Sequence, residues 1–123
     1  VTDPADAFPA AELPVLRTAA FEQTAAALPR AALTGYLQTL LERGQALLTQ
    51  LSSATAPDPP MAAAAHSLAG SAGMFGFERL AVSARYFEHA VAERSPRIGI
   101  LQEHLIAATR ETIAELRLRI AAG

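Results

Sequence analysis

Seven leucines between Pro29 and Pro57, at positions 33, 37, 40, 41, 47, 48 and 51, recur at three- and four-residue steps, the period of one face of an α-helix. The spacing predicts a strongly amphipathic helix of about six turns that ends near Ser52. A stripe of that length cannot stand in water and must be covered by other helices. Ser53 to Pro60 then holds three prolines and forms a connection. Within it Asp58-Pro59 combines a side-chain acceptor for an N-cap with proline at the first helical position, and so opens a third helix that runs to about Phe75. Gly76 ends that helix in the left-handed conformation. Phe77, Leu80, Ala84, Phe87 and Val91 mark a fourth, antiparallel to the third because the turn between them is so short. Arg94-Ser95-Pro96 ends it. A last helix, from about Arg97 to Ala121, carries two stripes. Ile98, Leu101, Leu105, Ala108, Thr112 and Leu116 form one, and Ile106, Ile113 and Ile120 form a second that would cover a short helix opened by Pro14 and reaching Leu28. The expected fold is all-α, an antiparallel four-helix bundle with an accessory N-terminal helix. Residues 1–13 are expected to be a linker or loosely docked arm, and residues 14–123 the helical domain.

Composition narrows the function classes. A chain of 123 residues with 51% hydrophobic content is one domain able to bury a core. Its net charge of -2 supplies no basic excess for a phosphate backbone, which argues against nucleic acid as a partner. No apolar run is long enough to suggest a membrane span, and Val1-Thr2-Asp3-Pro4 has neither region of a signal peptide, so a cytoplasmic, monomeric domain is expected. Val1 in place of an initiator methionine is expected of a domain cut from a longer chain or of a processed one. With no cysteine there is no thiolate site, and none of the three histidines pairs at i and i+4, so no metal site is expected.

The chemistry concentrates on the third helix. At about 100° per residue, Met61, Ala64, Ala65, Leu68, Ala72 and Phe75 share the side expected to face the bundle. His66 falls on the other side, among Ala62, Ala69, Gly70 and Gly73. A glycine inside a helix costs about 1 kcal/mol relative to alanine, so two on an exposed face are best explained by close approach of something else. Between Pro59 and Phe77 there is no formally charged residue, and a partner can settle over His66 without burying unpaired charge. Neutral imidazole offers one protonated nitrogen and one lone pair, the equipment of a nucleophile.

His66, Leu68, Gly70 and Gly76 together resemble the motif of the histidine phosphotransfer domain of bacterial multistep phosphorelays, and the likeness extends over roughly residues 29 to 121. The resemblance implies that His66 takes a phosphoryl group from the aspartyl phosphate of a response-regulator receiver domain and passes it on. It also implies a polar partner for the imidazole on the fourth helix, where Glu88 borders the third. The domain itself would need no cofactor, because the Mg2+ for transfer sits on the receiver. It would have no kinase activity of its own, since no glycine-rich nucleotide segment is present, and it would be free or tethered to a hybrid histidine kinase. One position departs from the motif: Ala69 stands where the family usually has lysine. Arg79 or Arg85 on the next helix is a candidate replacement cation, and Ala62, Ala69, Gly70, Gly73, Arg79 and Arg85 make up the expected docking surface. The missing lysine leaves open a second role, an adaptor that binds and sequesters a receiver without accepting phosphate.

Overall fold

The computed structural model describes residues 9–53 and 57–122. Residues 1–8 of the expected arm and residues 54–56 of the expected connection lie outside them. Five α-helices follow a short 3-10 turn at Pro9–Glu12: α1 (Thr18–Ala26), α2 (Arg30–Ser53), α3 (Pro59–Met74), α4 (Glu78–Ala92) and α5 (Ile98–Ala122). No strand is present among the described residues. Helices α2 to α5 pack in a ring, α2 against α3, α3 against α4, α4 against α5 and α5 against α2, and α1 caps one end. The four-helix bundle with an accessory helix is the observed architecture. No helix among the described residues is long and apolar enough to cross a membrane.

The leucine stripe of α2 does what its period demands. Leu37, Leu40, Leu47 and Leu51 are buried, and the place where a leucine is missing from the stripe is occupied by Gly44. A Cβ there would lie 3.4 Å from Cγ1 of Ile113, so the glycine lets α5 settle close against α2. Ile113, expected in the stripe that covers the N-terminal helix, therefore packs on α2, while α5 meets α1 through the Arg119 guanidinium, 5.1 Å from the centre of the Phe21 ring. Burial of Phe77, Phe87, Leu80 and Leu105 completes the centre, each of them essentially inaccessible. By the usual area relation each such side chain contributes about 1.5–3 kcal/mol of transfer free energy.

Local chemistry sets the ends of α3. The Asp58 side chain accepts a hydrogen bond from the Met61 backbone N–H at 3.0 Å, with Pro59 at the first helical position. At the other end Gly76 has φ of +88°. Its N–H donates to Gly73 O and the Phe77 N–H donates to Ala72 O, both at 3.1 Å. This pair of bonds is the Schellman closure, and it turns the chain straight into α4. The same closure ends α4, where Arg94 at φ 53° takes the left-handed position and Ser95 N–H donates to Ala90 O.

The N-terminal helix starts later than Pro14. Residues 13–17 run along the start of α4 instead: Pro14 O accepts from the Arg79 backbone N–H, Leu13 O accepts from Arg79 Nε, and the Arg17 N–H donates to Gly76 O at 2.8 Å. The reason is an unmet need of α4, whose N-cap residue Phe77 provides no side-chain acceptor. A carbonyl from the preceding segment fills that need, and the segment stays out of the helix until Thr18. Within the 3-10 turn Ala10 is fully buried, and the turn lies against α4. Helix α1 is then pinned to the α3–α4 turn by an Arg17–Glu78 ion pair, by Thr24 Oγ1 donating to Met74 O at 2.8 Å, and by Phe21 packing on Phe75.

Gly76 thus carries two loads, a positive φ and a close neighbour, since a Cβ there would stand 2.7 Å from Arg17 O. Gly76→Ala is expected to lower stability by about 1–3 kcal/mol. Urea denaturation of the two proteins measures it, and an unchanged midpoint would refute the account.

Candidate functional site

His66 lies near the middle of α3, and Glu88 lies nearly three turns into α4 from its start at Glu78. The register of the two antiparallel helices brings them together. His66 Nδ1 stands 2.7 Å from Glu88 Oε2. A carboxylate only accepts, so Nδ1 carries the hydrogen and Nε2 is left with the lone pair. The imidazole side chain is 69% exposed, and that of Glu88 40%. Nε2 therefore belongs to an imidazole open to solvent whose tautomer is set by the neighbouring helix.

A groove of about 490 Å³ runs beside the ring, lined by His66, Ala69, Gly70, Arg85, Glu88, His89 and Ala92. Its floor differs from expectation. Ala62 and Ala69 were expected to face outward with His66; both are buried at 6% exposure. The buried residues of α3 (Met61, Ala62, Ala65, Leu68, Ala69 and Ala72) form an arc centred about 100° from His66 rather than opposite it. Alanine gives a helical wheel little contrast, so its apparent direction is dominated by the few large side chains. The actual direction follows α4, which comes close because the facing side chains are small. A Cβ on Gly73 would meet the Ala81 Cβ at 3.6 Å. This rotation is also why His66 borders α4 and reaches Glu88.

Gly70 and Gly73 are exposed as expected, and a Cβ on Gly70 would meet nothing within 4 Å. The fold has no need of a glycine there. Arg85 is exposed and lines the groove. Arg79 does not: its Nε donates to Leu13 O at 2.8 Å and its Nη1 pairs with Glu111 Oε2 at 2.6 Å, so it ties the N-terminal segment and α5 to α4. Arg79, expected on the docking surface beside Arg85, is thus absent from the groove at His66 and has its guanidinium engaged within the fold.

Two features near the site were not foreseen. Arg43 of α2 donates to the hydroxyls of Ser67 and Ser71, fixing the flank of α3 away from α4. This contact joins residues 24 and 28 positions apart, and nothing local announces it. Met74 is 69% exposed and Tyr36 54%, and together with Thr24, Ala27, Leu28, Ser71 and Phe75 they line an apolar groove at the C-terminal end of α3. A signal for Met74 was available, since it follows Gly70 by one turn on the same uncharged face.

A family model described as the Hpt domain matches residues 35–122. The chain belongs to the Hpt family. Members of this family are the histidine phosphotransfer modules of phosphorelays, phosphocarriers rather than kinases, and they work with receiver domains. Comparison with curated proteins and with solved structures finds no match. In this Hpt domain the matched span takes in all of α3, α4 and α5 and most of α2, and leaves out α1.

If the Glu88 contact sets the tautomer, the neutral ring of His66 carries its hydrogen on Nδ1. Glu88→Ala is expected to redistribute it toward Nε2, as read from the ring nitrogen shifts in ¹⁵N NMR. Identical ring shifts in the two proteins would show that the carboxylate does not govern the ring.

Proposed function

We propose that His66 accepts a phosphoryl group from the aspartyl phosphate of a response-regulator receiver and returns it to the same or another receiver. The observation that carries this reading is the His66–Glu88 contact on an otherwise exposed imidazole. Nε2 attacks phosphorus, the Nε2–P bond forms, and the P–O bond to the aspartyl carboxylate breaks. The receiver recovers its carboxylate and the ring becomes a phosphoimidazolium that keeps its hydrogen on Nδ1, facing Glu88. No proton has to leave the ring. Glu88 orients the imidazole and offsets the positive charge it gains.

Transfer of this kind depends on positioning and charge stabilisation, and the Mg2+ for it is expected on the receiver. The uncharged face of α3 supports docking of such a partner. From His66 through Gly70 and Gly73 to the exposed Met74 it offers no charge to desolvate. Gly70 is the clearest element of this design, because the fold leaves open space where its side chain would be.

Mixing the chain with a phosphorylated receiver is expected to place acid-labile, base-stable phosphate on it, and His66→Gln is expected to abolish the label. Label on the His66→Gln protein would move the site elsewhere. Receiver binding without label would make the domain an adaptor. Gly70→Ala is expected to raise stability by about 0.5–1 kcal/mol and yet to slow transfer. A variant that is stabilised and transfers at the original rate would remove Gly70 from the docking surface.

A further inference from the structure

The phosphorylated form of His66 poses an electrostatic problem that α3 cannot solve. At neutral pH a phosphoryl group carries about -1.5 to -2 charges. It would arrive beside Glu88, already an anion, on a helix with no charged residue between Pro59 and Phe77. The compensating cation must come from another element.

The packing of α3 on α4 identifies it. Gly73 lies against Ala81, and His66 lies against Glu88, seven residues away along each helix. A constant antiparallel register between these two contacts sets Ala69 opposite Arg85. Ala69 is buried in the floor and has no side chain to rise from it, so the space above belongs to the facing residue. Arg85 lines the groove together with His66, Ala69 and Gly70, and it is the only residue there with a permanent positive charge. His89, also in the wall, faces Glu93 at 3.5 Å. Among the described residues no carboxylate pairs with Arg85, whereas Arg17, Arg79 and Arg119 are each paired with a glutamate. Arg43, on the other flank, is spent on Ser67 and Ser71.

We propose that Arg85 binds the phosphoryl group on His66, its guanidinium reaching across the groove from α4. This rests on His66 being the phosphorylated residue. A guanidinium presents paired N–H donors that match phosphate oxygens, and it neutralises charge without titrating. Glu88 and Arg85, three residues apart on one face of α4, then divide the work: the carboxylate holds the ring and the guanidinium holds what the ring carries.

Phosphoramidate, a small-molecule phosphoryl donor, loads histidine without a receiver and separates this role from docking. The whole chain, Arg85→Ala and Arg85→Lys would each be phosphorylated in this way, and the ³¹P signal followed against pH. Contact with Arg85 favours the dianion, so Arg85→Ala is expected to raise the pH of the phosphoryl's second ionisation by about one unit, and Arg85→Lys to restore part of the shift. An unchanged ³¹P titration in a labelled Arg85→Ala protein overturns the proposal and leaves the phosphotransfer reading intact. Slower transfer from a receiver with an unchanged titration also overturns it, because Arg85 would then serve docking alone. Failure of His66 to take label from either donor in the unaltered chain sinks the phosphotransfer reading itself, and Arg85's role with it. Arg85 is exposed, so matching thermal transitions are expected for all three proteins, and ³¹P shifts that track a lowered melting temperature count against direct contact.

Discussion

Everything at the site depends on how closely α4 can lie on α3. Ala62, Ala65, Ala69 and Ala72 bury a flat, shallow surface, Gly73 admits Ala81, and the tight turn at Gly76 joins the two helices with no slack. That combination sets the register, and the register puts a carboxylate within hydrogen-bonding distance of one nitrogen of an exposed imidazole. Larger residues along the seam would push the helices apart and dissolve the contact without touching either member of the pair. Packing here is therefore part of the chemistry, because a tautomer is held by an interhelical spacing.

A second consequence of the same seam is an asymmetry between the two flanks of α3. Toward α4 the boundary is polar and carries the groups that can act on His66. Toward α2 it is pinned by Arg43 on two serine hydroxyls. In the proposed transfer, an imidazole that must meet an external phosphorus atom gains from a helix tied down on that flank, since misplacement of a reacting atom is costly in rate. The outward face between these flanks has no charge and little relief, which suits a partner's surface better than it suits water. The glycine at position 70 fits this picture from the stability side: it weakens the helix for no benefit to the fold.

The turn at Gly76 also organises parts of the protein beyond the site. It presents its carbonyl to Arg17, while the residues just before α1 supply the acceptor that the start of α4 lacks. The N-terminal segment, the turn and the first residues of α4 thus complete one another's hydrogen bonds, and Arg79 adds a side-chain tie from the same place to α5. Backbone groups without partners in one element find them in another, and a segment that reads as helix by local pattern is held out of the helix.

Much was legible locally. The leucine period of α2, the Asp58-Pro59 start of α3 and the left-handed glycine at its end are short-range effects, written in consecutive residues and enough to specify an antiparallel bundle. His66 was visible for the same reason, as a histidine among glycines on an uncharged stretch, and Glu88 came from the family resemblance, which implies a polar partner on the fourth helix. The rest was decided by contacts between distant segments. Helix α3 turned by tens of degrees because alanines give no directional preference until a neighbour selects one. Arg79 went to α5 and Arg43 to α3 because ion pairs and hydrogen bonds between elements depend on register, and Arg94 took a left-handed position that no glycine advertised. The sequence by itself determined which helices form and which imidazole is bare. Only the tertiary structure decided which side chains surround it, because helical periodicity specifies a face within one helix and says nothing about the rotation at which two such faces meet.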